Sequence, residues 1–458
     1  MNLQTNSGAA EMPKGVPYII GNEAAERFCY YGMRAILVVY MTQYLFNMQG
    51  QLAKVDPATA KAWYHLFSSA VYFTPLMGAV ISDVFWGKYL TIIRLSLVYA
   101  VGCFVLALFG NTAGMFVGLT LIAIGSGGIK PVVSANVGDQ FTKDNQHLMK
   151  KVFSIFYFAI NFGSFFSTLL TPVLLKWYGP KVAFSVPGFL MILATLVFWV
   201  GRKRFTVVPP AGIRQYKDAL LSPAGKKALI HLSGFFLIVS FFWMLFDQSS
   251  AAWILQAEKM DRVVDLRFFI FQYDWLHFEL LASQTHAMNP VLVMILIPIF
   301  TYGIYPALQK FFNVTSLRKM TLGMFVAALS FVIIAMAEAH LQNGEVVGVI
   351  WQLWAYILLT CAEVMVSITA LEFAYTQAPP NMKSIIMGLY LLSVTLGNLI
   401  AAGVNYFIKN PDGSEKLAGA DYFWFFTILM VIAAVVFAIS SKFYKEESYI
   451  QEDAGKAA

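Results

Sequence analysis

Stretches of about twenty apolar residues recur from one end of this 458-residue chain to the other, and nothing else restricts its possible folds as much. Roughly 20 residues, rising 1.5 Å each, carry a helix across the hydrocarbon of a bilayer. A membrane strand needs only about 10, alternating in polarity, and these runs do not alternate. In lipid every backbone N–H and C=O must find its partner inside the protein, which leaves helices for runs of this kind. Composition agrees: 59% of residues are hydrophobic and 12% charged, against about 25% charged in a soluble domain. A soluble enzyme with a large core is excluded on that ground.

The runs predict twelve spans, near 22–47, 61–85, 90–110, 114–138, 151–176 and 183–200, then 229–256, 287–310, 319–340, 347–372, 384–408 and 420–442. Between the two sets, residues 201–228 hold Arg202, Lys203, Arg204, Arg214, Lys217, Lys226 and Lys227 against one acid, Asp218, and also Pro209, Pro210 and Pro223. Basic loops stay on the cytoplasmic side. Alternation then puts Lys88, Arg94, Arg318, Lys319 and Lys442 on that side, the 257–286 segment outside and both termini inside. The division expected is 1–200 and 229–458 as six-helix bundles, joined by a cytoplasmic linker at 201–228. Six spans, a linker and six more is the plan of the major facilitator superfamily, whose halves rock about a central site. The first 16 residues are polar and do not read as a signal peptide. The charge of +7 is placed for topology, with no nucleic-acid patch. Cys29, Cys103 and Cys361 show neither metal-ligand spacing nor a disulfide framework. HExxH, GxSxG and close nucleophile–histidine pairs are missing from the sequence, which argues against an intramembrane enzyme.

Charges inside spans carry the functional reading, because each costs at least ~2.5–3.5 kcal/mol at mid-membrane unless a partner or water-filled cavity receives it. In the first span Glu23, Glu26, Arg27, Tyr30, Tyr31 and Arg34 share one face at about 100° per residue. Glu23 and Arg27 stand at i,i+4, where they can pair. An interfacial cluster would explain Glu23 but not Arg34. His65, beside Tyr64 and two turns before Tyr72, fits either a hydrogen-bonded helix contact or a proton relay. Gly125-Ser126-Gly127-Gly128-Ile129-Lys130 lacks the spacing of a phosphate loop; its glycines suit close helix packing, and Lys130 becomes a buried cation facing the cavity. Asp247 interrupts an aromatic run that includes Trp243. Glu363 lies near the centre of the tenth span, and Glu372 nearer its end, where an interfacial place explains it equally well. A cavity with cations mostly on one half and acids on the other suits a zwitterion such as a free peptide.

These residues resemble the proton-dependent oligopeptide transporter family over nearly the whole chain, in order. Glu23 to Gly32 is similar to its ExxERFxYYG signature, and Phe156 to Ser164 to its FYxxINxGS signature. Thr74-Pro75 with Gly78, Phe246-Asp247-Gln248, Asn289-Pro290 and Glu363 to Tyr375 follow in register. The resemblance implies that Glu23, Glu26 and Arg27 form a proton-linked network with Lys130. Arg27 and Lys130 would hold the peptide carboxylate near Tyr31, and Glu363 would take the amino terminus with Asn161 and Asn289. Arg34 and Asp247 would bridge the halves in a pair that protonation weakens. Tyr72 would line the site, and Trp243 and Trp354 would shape side-chain pockets. His65 matches the helix 2 histidine of the animal members, which favours the relay reading. Two departures from the family's pattern stand out. Residues 201–228 have no room for the two extra helices of many bacterial members, and His286 stands where many relatives have glutamine.

The resulting expectation is a symporter driven by protons that imports di- and tripeptides by alternating access. It would work as a monomer without cofactor or metal, in a bacterial inner membrane. The rival on the same fold is a carrier of nitrate or another small anion, against which the acid at Glu363 argues.

Overall fold

The structure is a computed structural model. It describes residues 12–444 apart from 48, 142–144, 146–147, 208, 211–212, 266, 268–276, 312, 378–382 and 409–415; the polar start of the chain falls largely outside these residues. Among the described residues, nine helical stretches are long and apolar enough to cross a membrane. Two of them hold two spans each. Pro57–Leu108 turns at Gly87 (φ 71°) and Phe158–Arg204 turns at Gly179 (φ 76°), in a backbone region that glycine enters without steric cost. The helix Val16–Gln43, whose charges set it apart from those nine, makes twelve.

The spans in chain order are α1 (Val16–Gln43), α2 (Pro57–Val80, continued to Trp86), α3 (Gly87–Leu108), α4 (Thr112–Gly138), α5 (149–178), α6 (180–200), α7 (Pro223–Phe246, continued to Ala257), α8 (Met288–Pro298, continued to Gln309), α9 (Ser316–Gln342), α10 (Ile350–Glu363, continued to Thr376), α11 (Lys383–Phe407) and α12 (Ala420–Phe443). Helix starts have local causes. Asp56 accepts a hydrogen bond from the Thr59 N–H at 3.0 Å, with Pro57 in the first turn of α2, and Asn111 accepts from Gly114 N at 2.8 Å to open α4. Such caps contribute about 1 kcal/mol each.

Apolar side chains form two large cores. One is built from residues of α1–α6 with Ala251, the other from α7–α12 with Ala58. The two bundles meet chiefly where α2 runs along α11.

Three expectations are corrected in detail. The first span begins at Val16, not 22, because Pro17 seats its first turn and Gly21-Asn22 continue the helix; Glu23 therefore lies two turns inside. Residues 257–286 are not all loop: β1 (Val263–Asp265) pairs antiparallel with β2 (His277–Glu279). Within 201–228, Ile213–Leu221 is a short helix, and α7 already starts at Pro223.

Candidate functional site

The charged face of α1 points into the protein. Glu23 and Glu26 are 1% and 0% exposed. Arg27 Nε lies 2.7 Å from Glu23 Oε1 and 3.3 Å from Glu26 Oε2, and Ser126 Oγ donates to Glu26 Oε1 at 2.5 Å. Ser126 reaches that carboxylate because α4 opens into a wide, π-type turn over Ala123–Gly127. There Thr74 Oγ1 of α2 donates to the Ala123 carbonyl at 2.7 Å. Glycines let the helices close on this turn: a Cβ at Gly125 would stand 2.7 Å from the Leu95 carbonyl oxygen and from Tyr99. One turn on, Lys130 Nζ sits 3.8 Å from the Tyr30 ring centre and 4.6 Å from that of Tyr72. Cation–π contacts of this kind contribute about 0.5–2 kcal/mol, most when desolvated.

A second cluster joins the halves. Arg34 of α1 is paired with Asp247 of α7, and its Nε donates to the Tyr64 hydroxyl of α2. Asn398 of α11 donates through Nδ2 to the other Asp247 oxygen. That fixes the amide's orientation, since a carboxylate only accepts. Asn398 Oδ1 then faces His65 Nδ1 at 2.8 Å, so Nδ1 carries the hydrogen. His65 Nε2 is buried and, among the described residues, has no hydrogen-bond partner. In this tautomer Nε2 is a lone pair ready for a proton.

Between these clusters lies a cavity of about 290 Å³, near the lower end of small-molecule sites at ~300–1,000 Å³. Tyr31, Arg34, Tyr72 and Asn161 face it from one half, and Trp243, His286, Asn289 and Glu363 from the other. Asn289 Nδ2 donates to Glu363 Oε2 at 2.7 Å. Glu363 is followed by another wide turn, Val364–Ile368. Further ties cross the halves: Ser69 Oγ to the Thr395 carbonyl at 3.1 Å, Gln43 Nε2 to Glu258 Oε1 at 2.6 Å and Gln284 Nε2 to the Leu169 carbonyl at 3.0 Å. With His65–Asn398, these lie between mid-span and the end that carries residues 257–286.

Most expected residues gather in these two clusters and the cavity between them, with three exceptions in placement. Trp354 is 58% exposed on the outer surface. It stands nine residues from Glu363, about half a turn out of phase at 100° per residue, so one cannot face the cavity if the other does. Arg27 and Lys130 are not on the cavity wall. The first is held by its two glutamates and the second by the Tyr30 and Tyr72 rings. Among the described residues no carboxylate lies within ion-pair distance of Lys130. Sequence reading gave no role to Tyr64, Ser126 or Asn398. The available signal was a polar side chain inside an apolar span, the same one that marks the charges.

Comparison with known proteins places this arrangement. The family model described as POT family matches residues 89–217 and 221–425. Solute carrier family 15 member 2 of Rattus norvegicus is 37% identical over 385 residues, 73% of this chain and 50% of its own. Peptide transporter family 1 of Drosophila melanogaster is 38% identical over 380 residues, 72% of this chain and 48% of its own. The chain thus spans about half the length of the curated relatives it matches. Among solved structures, an auto-inhibited POT family peptide transporter superposes with a TM-score of 0.85 at 34% identity, covering 96% of this chain and 99% of that one. The POT family transporter PepTSo gives 0.84 at 36% identity, covering 95% and 99%.

Proposed function

Since this chain belongs to the POT family, an integral membrane family with the major facilitator fold, we propose that it imports di- and tripeptides together with protons. The observation that carries the reading is the cavity's polarity. Glu363, oriented by Asn289, waits on one half for a peptide ammonium. On the other half Tyr31 and Arg34 line the wall, and Lys130 and Arg27 stand behind it for the carboxylate. Recognition through the two termini leaves side chains free to vary.

The charge balance supports proton coupling. Arg27, Arg34 and Lys130 face Glu23, Glu26, Asp247 and Glu363, three cations against four carboxylates. One added proton makes the set neutral, and a zwitterionic peptide keeps it so. A neutral core crosses between conformations at lower electrostatic cost. In this scheme a proton on the Glu23/Glu26 network or on His65 weakens Arg34–Asp247. The peptide bridges Glu363 and the Arg27/Lys130 side, and the halves rock about it. Residues 1–200 and 229–458 act as the rocking units, with 201–228 as a cytoplasmic linker. The chain works as a monomer in a bacterial inner membrane, both termini cytoplasmic and the 257–286 end outside; the basic 201–228 segment supports that orientation.

The test is uptake of labelled dialanine by proteoliposomes under an inward proton gradient. Accumulation above equilibrium that a protonophore collapses is the expected result. Binding without movement would make the protein a receptor. No peptide binding by correctly folded protein would leave a carrier of another solute, a small anion first.

A further inference from the structure

A second polar cavity lies beyond the first, at the 257–286 end, and has no part in the scheme above. It holds about 540 Å³, inside the ~300–1,000 Å³ of small-molecule sites. Its position follows from the elements it shares with the peptide cavity. On α1, Arg34 lines the inner cavity and Gln43 the outer one, nine residues or about 14 Å further along the helix. On the short helix Ala282–Ala287, His286 faces the inner cavity and Ser283 the outer. Between them stands a small apolar plug: Ile254, Ala257 and Ala282 of one half, packed against Val39 of the other. Val39 and Ala282 also belong to the wall of the outer cavity, and Gln43 and Lys176 are exposed at its mouth. The outer cavity is therefore an antechamber, divided from the peptide site by that plug and by the Gln43–Glu258 tie.

Lys176 at the end of α5, Glu258 just past α7, and Arg262 supply its charges. Arg262 is committed elsewhere: its guanidinium donates to the Leu280, Ala257 and Glu258 carbonyls and to Glu279. Glu258 accepts from Gln43 with Oε1. Among the described residues, Glu258 Oε2 and Lys176 Nζ hold no hydrogen bond. One ammonium and one carboxylate oxygen thus remain for a ligand, the cation on the first half and the acid on the second. That is the polarity of the inner site, where Glu363 stands on the second half and the cations on the first. We propose that the outer cavity is a waiting site for the same zwitterionic peptide, in which Lys176 holds the carboxylate and Glu258 the ammonium. The peptide is then oriented before the plug parts, and it moves inward to Glu363 without turning round. The paired charges also select: a simple anion meets Glu258 and a simple cation meets Lys176, whereas a free peptide satisfies both.

This inference rests on the peptide-import reading, and the experiment keeps the two apart. Initial uptake of labelled dialanine is measured over a concentration series in right-side-out vesicles under an inward proton gradient. Wild type, Lys176→Gln and Glu258→Gln are compared, each checked for a monodisperse peak after purification, and the Kd for dialanine is measured on the purified proteins. A waiting site on the way in sets the rate of capture and leaves the affinity of the final site alone. Each variant should therefore lose roughly 3- to 10-fold in kcat/KM, with kcat and Kd at their wild-type values. Salt tests the cause: at 1 M the screening length falls to ~3 Å, and the wild type should drop to the level of the variants. The exchanged pair, Lys176→Glu with Glu258→Lys, holds the peptide end for end and should not recover the wild-type kcat/KM. Wild-type kcat/KM in both single variants overturns the proposal and leaves the import reading standing. So does a parallel loss of kcat or of affinity, which marks the two residues as structural. Full recovery in the exchanged pair removes the orienting step. A wild type without proton-driven uptake overturns the import reading and the waiting site together.

Discussion

Glu26 and Lys130 are held by residues far from them in sequence: Ser126, 100 positions from Glu26, donates to its carboxylate, and the Tyr30 and Tyr72 rings cradle Lys130. If they serve proton coupling, Glu26→Gln and Lys130→Ala abolish proton-driven uptake while peptide counterflow, which needs no proton cycle, persists; full accumulation in both variants would sink the scheme. Glu363→Gln keeps the shape and the Asn289 contact but loses the charge. A hydrogen bond to a charged group contributes about 1.5–3 kcal/mol, so dialanine affinity should drop roughly 10- to 150-fold. An N-acetylated dipeptide, lacking the ammonium, should lose nothing, and competition binding reads both. Asn398→Leu strips a partner from Asp247 and from His65, each loss costing about 1–3 kcal/mol or more in a buried site. A lower melting temperature and loss of proton-driven uptake are expected, and a variant unchanged in both would remove Asn398 from the network. The charges were legible because a charge in an apolar run is rare and costly. Asn398 was not, since a neutral amide costs less and its importance comes from a carboxylate 151 positions and a histidine 333 positions away in sequence.

At the scale of elements, hydropathy was enough to count the spans, because lipid removes every other way to satisfy the backbone. Helix phase was legible too. A separation of nine positions between Trp354 and Glu363 puts them on opposite faces, and that arithmetic would have excluded the tryptophan. The wide turns at Ala123–Gly127 and Val364–Ile368 were not legible. One extra residue per turn leaves the apolar pattern nearly intact, and such turns gather at functional positions; here each adjoins a key charge. The β1–β2 hairpin escaped because three-residue strands are too short for alternation to register. Close approach of α2 and α4 depends on Gly78, where a Cβ would run into the backbone of Gly128. Gly78→Val forces α2 away from the turn that Thr74 and Ser126 stabilise. Overpacking costs typically ~1–3 kcal/mol, so its melting temperature should fall by several degrees, with proton-driven uptake falling alongside. A variant as stable as wild type would show that this contact is slack.

For the whole molecule, the position of the ties decides which way the cavity faces. His65–Asn398, Ser69–Thr395, Gln43–Glu258 and Gln284–Leu169 all lie from mid-span towards the 257–286 end. The cavity wall extends past them towards the end with the basic segment, through Leu371 and Leu391. In the proposed alternating-access cycle this arrangement is the state closed at the 257–286 end. Alternating access requires that end to part once per cycle, so Gln43 and Glu258 must separate. A cleavable cross-link between Gln43→Cys and Glu258→Cys should therefore stop uptake, reducing agent should restore it, and either single variant treated alike should keep transporting. Cys29 and Cys103 are buried and Cys361 partly so, which keeps background labelling low. Uptake that continued with the cross-link complete would mean the halves move without opening here. The pair at Arg34–Asp247 could not then be a gate, and its hydrogen-bonded neighbours would belong to stability rather than to the cycle.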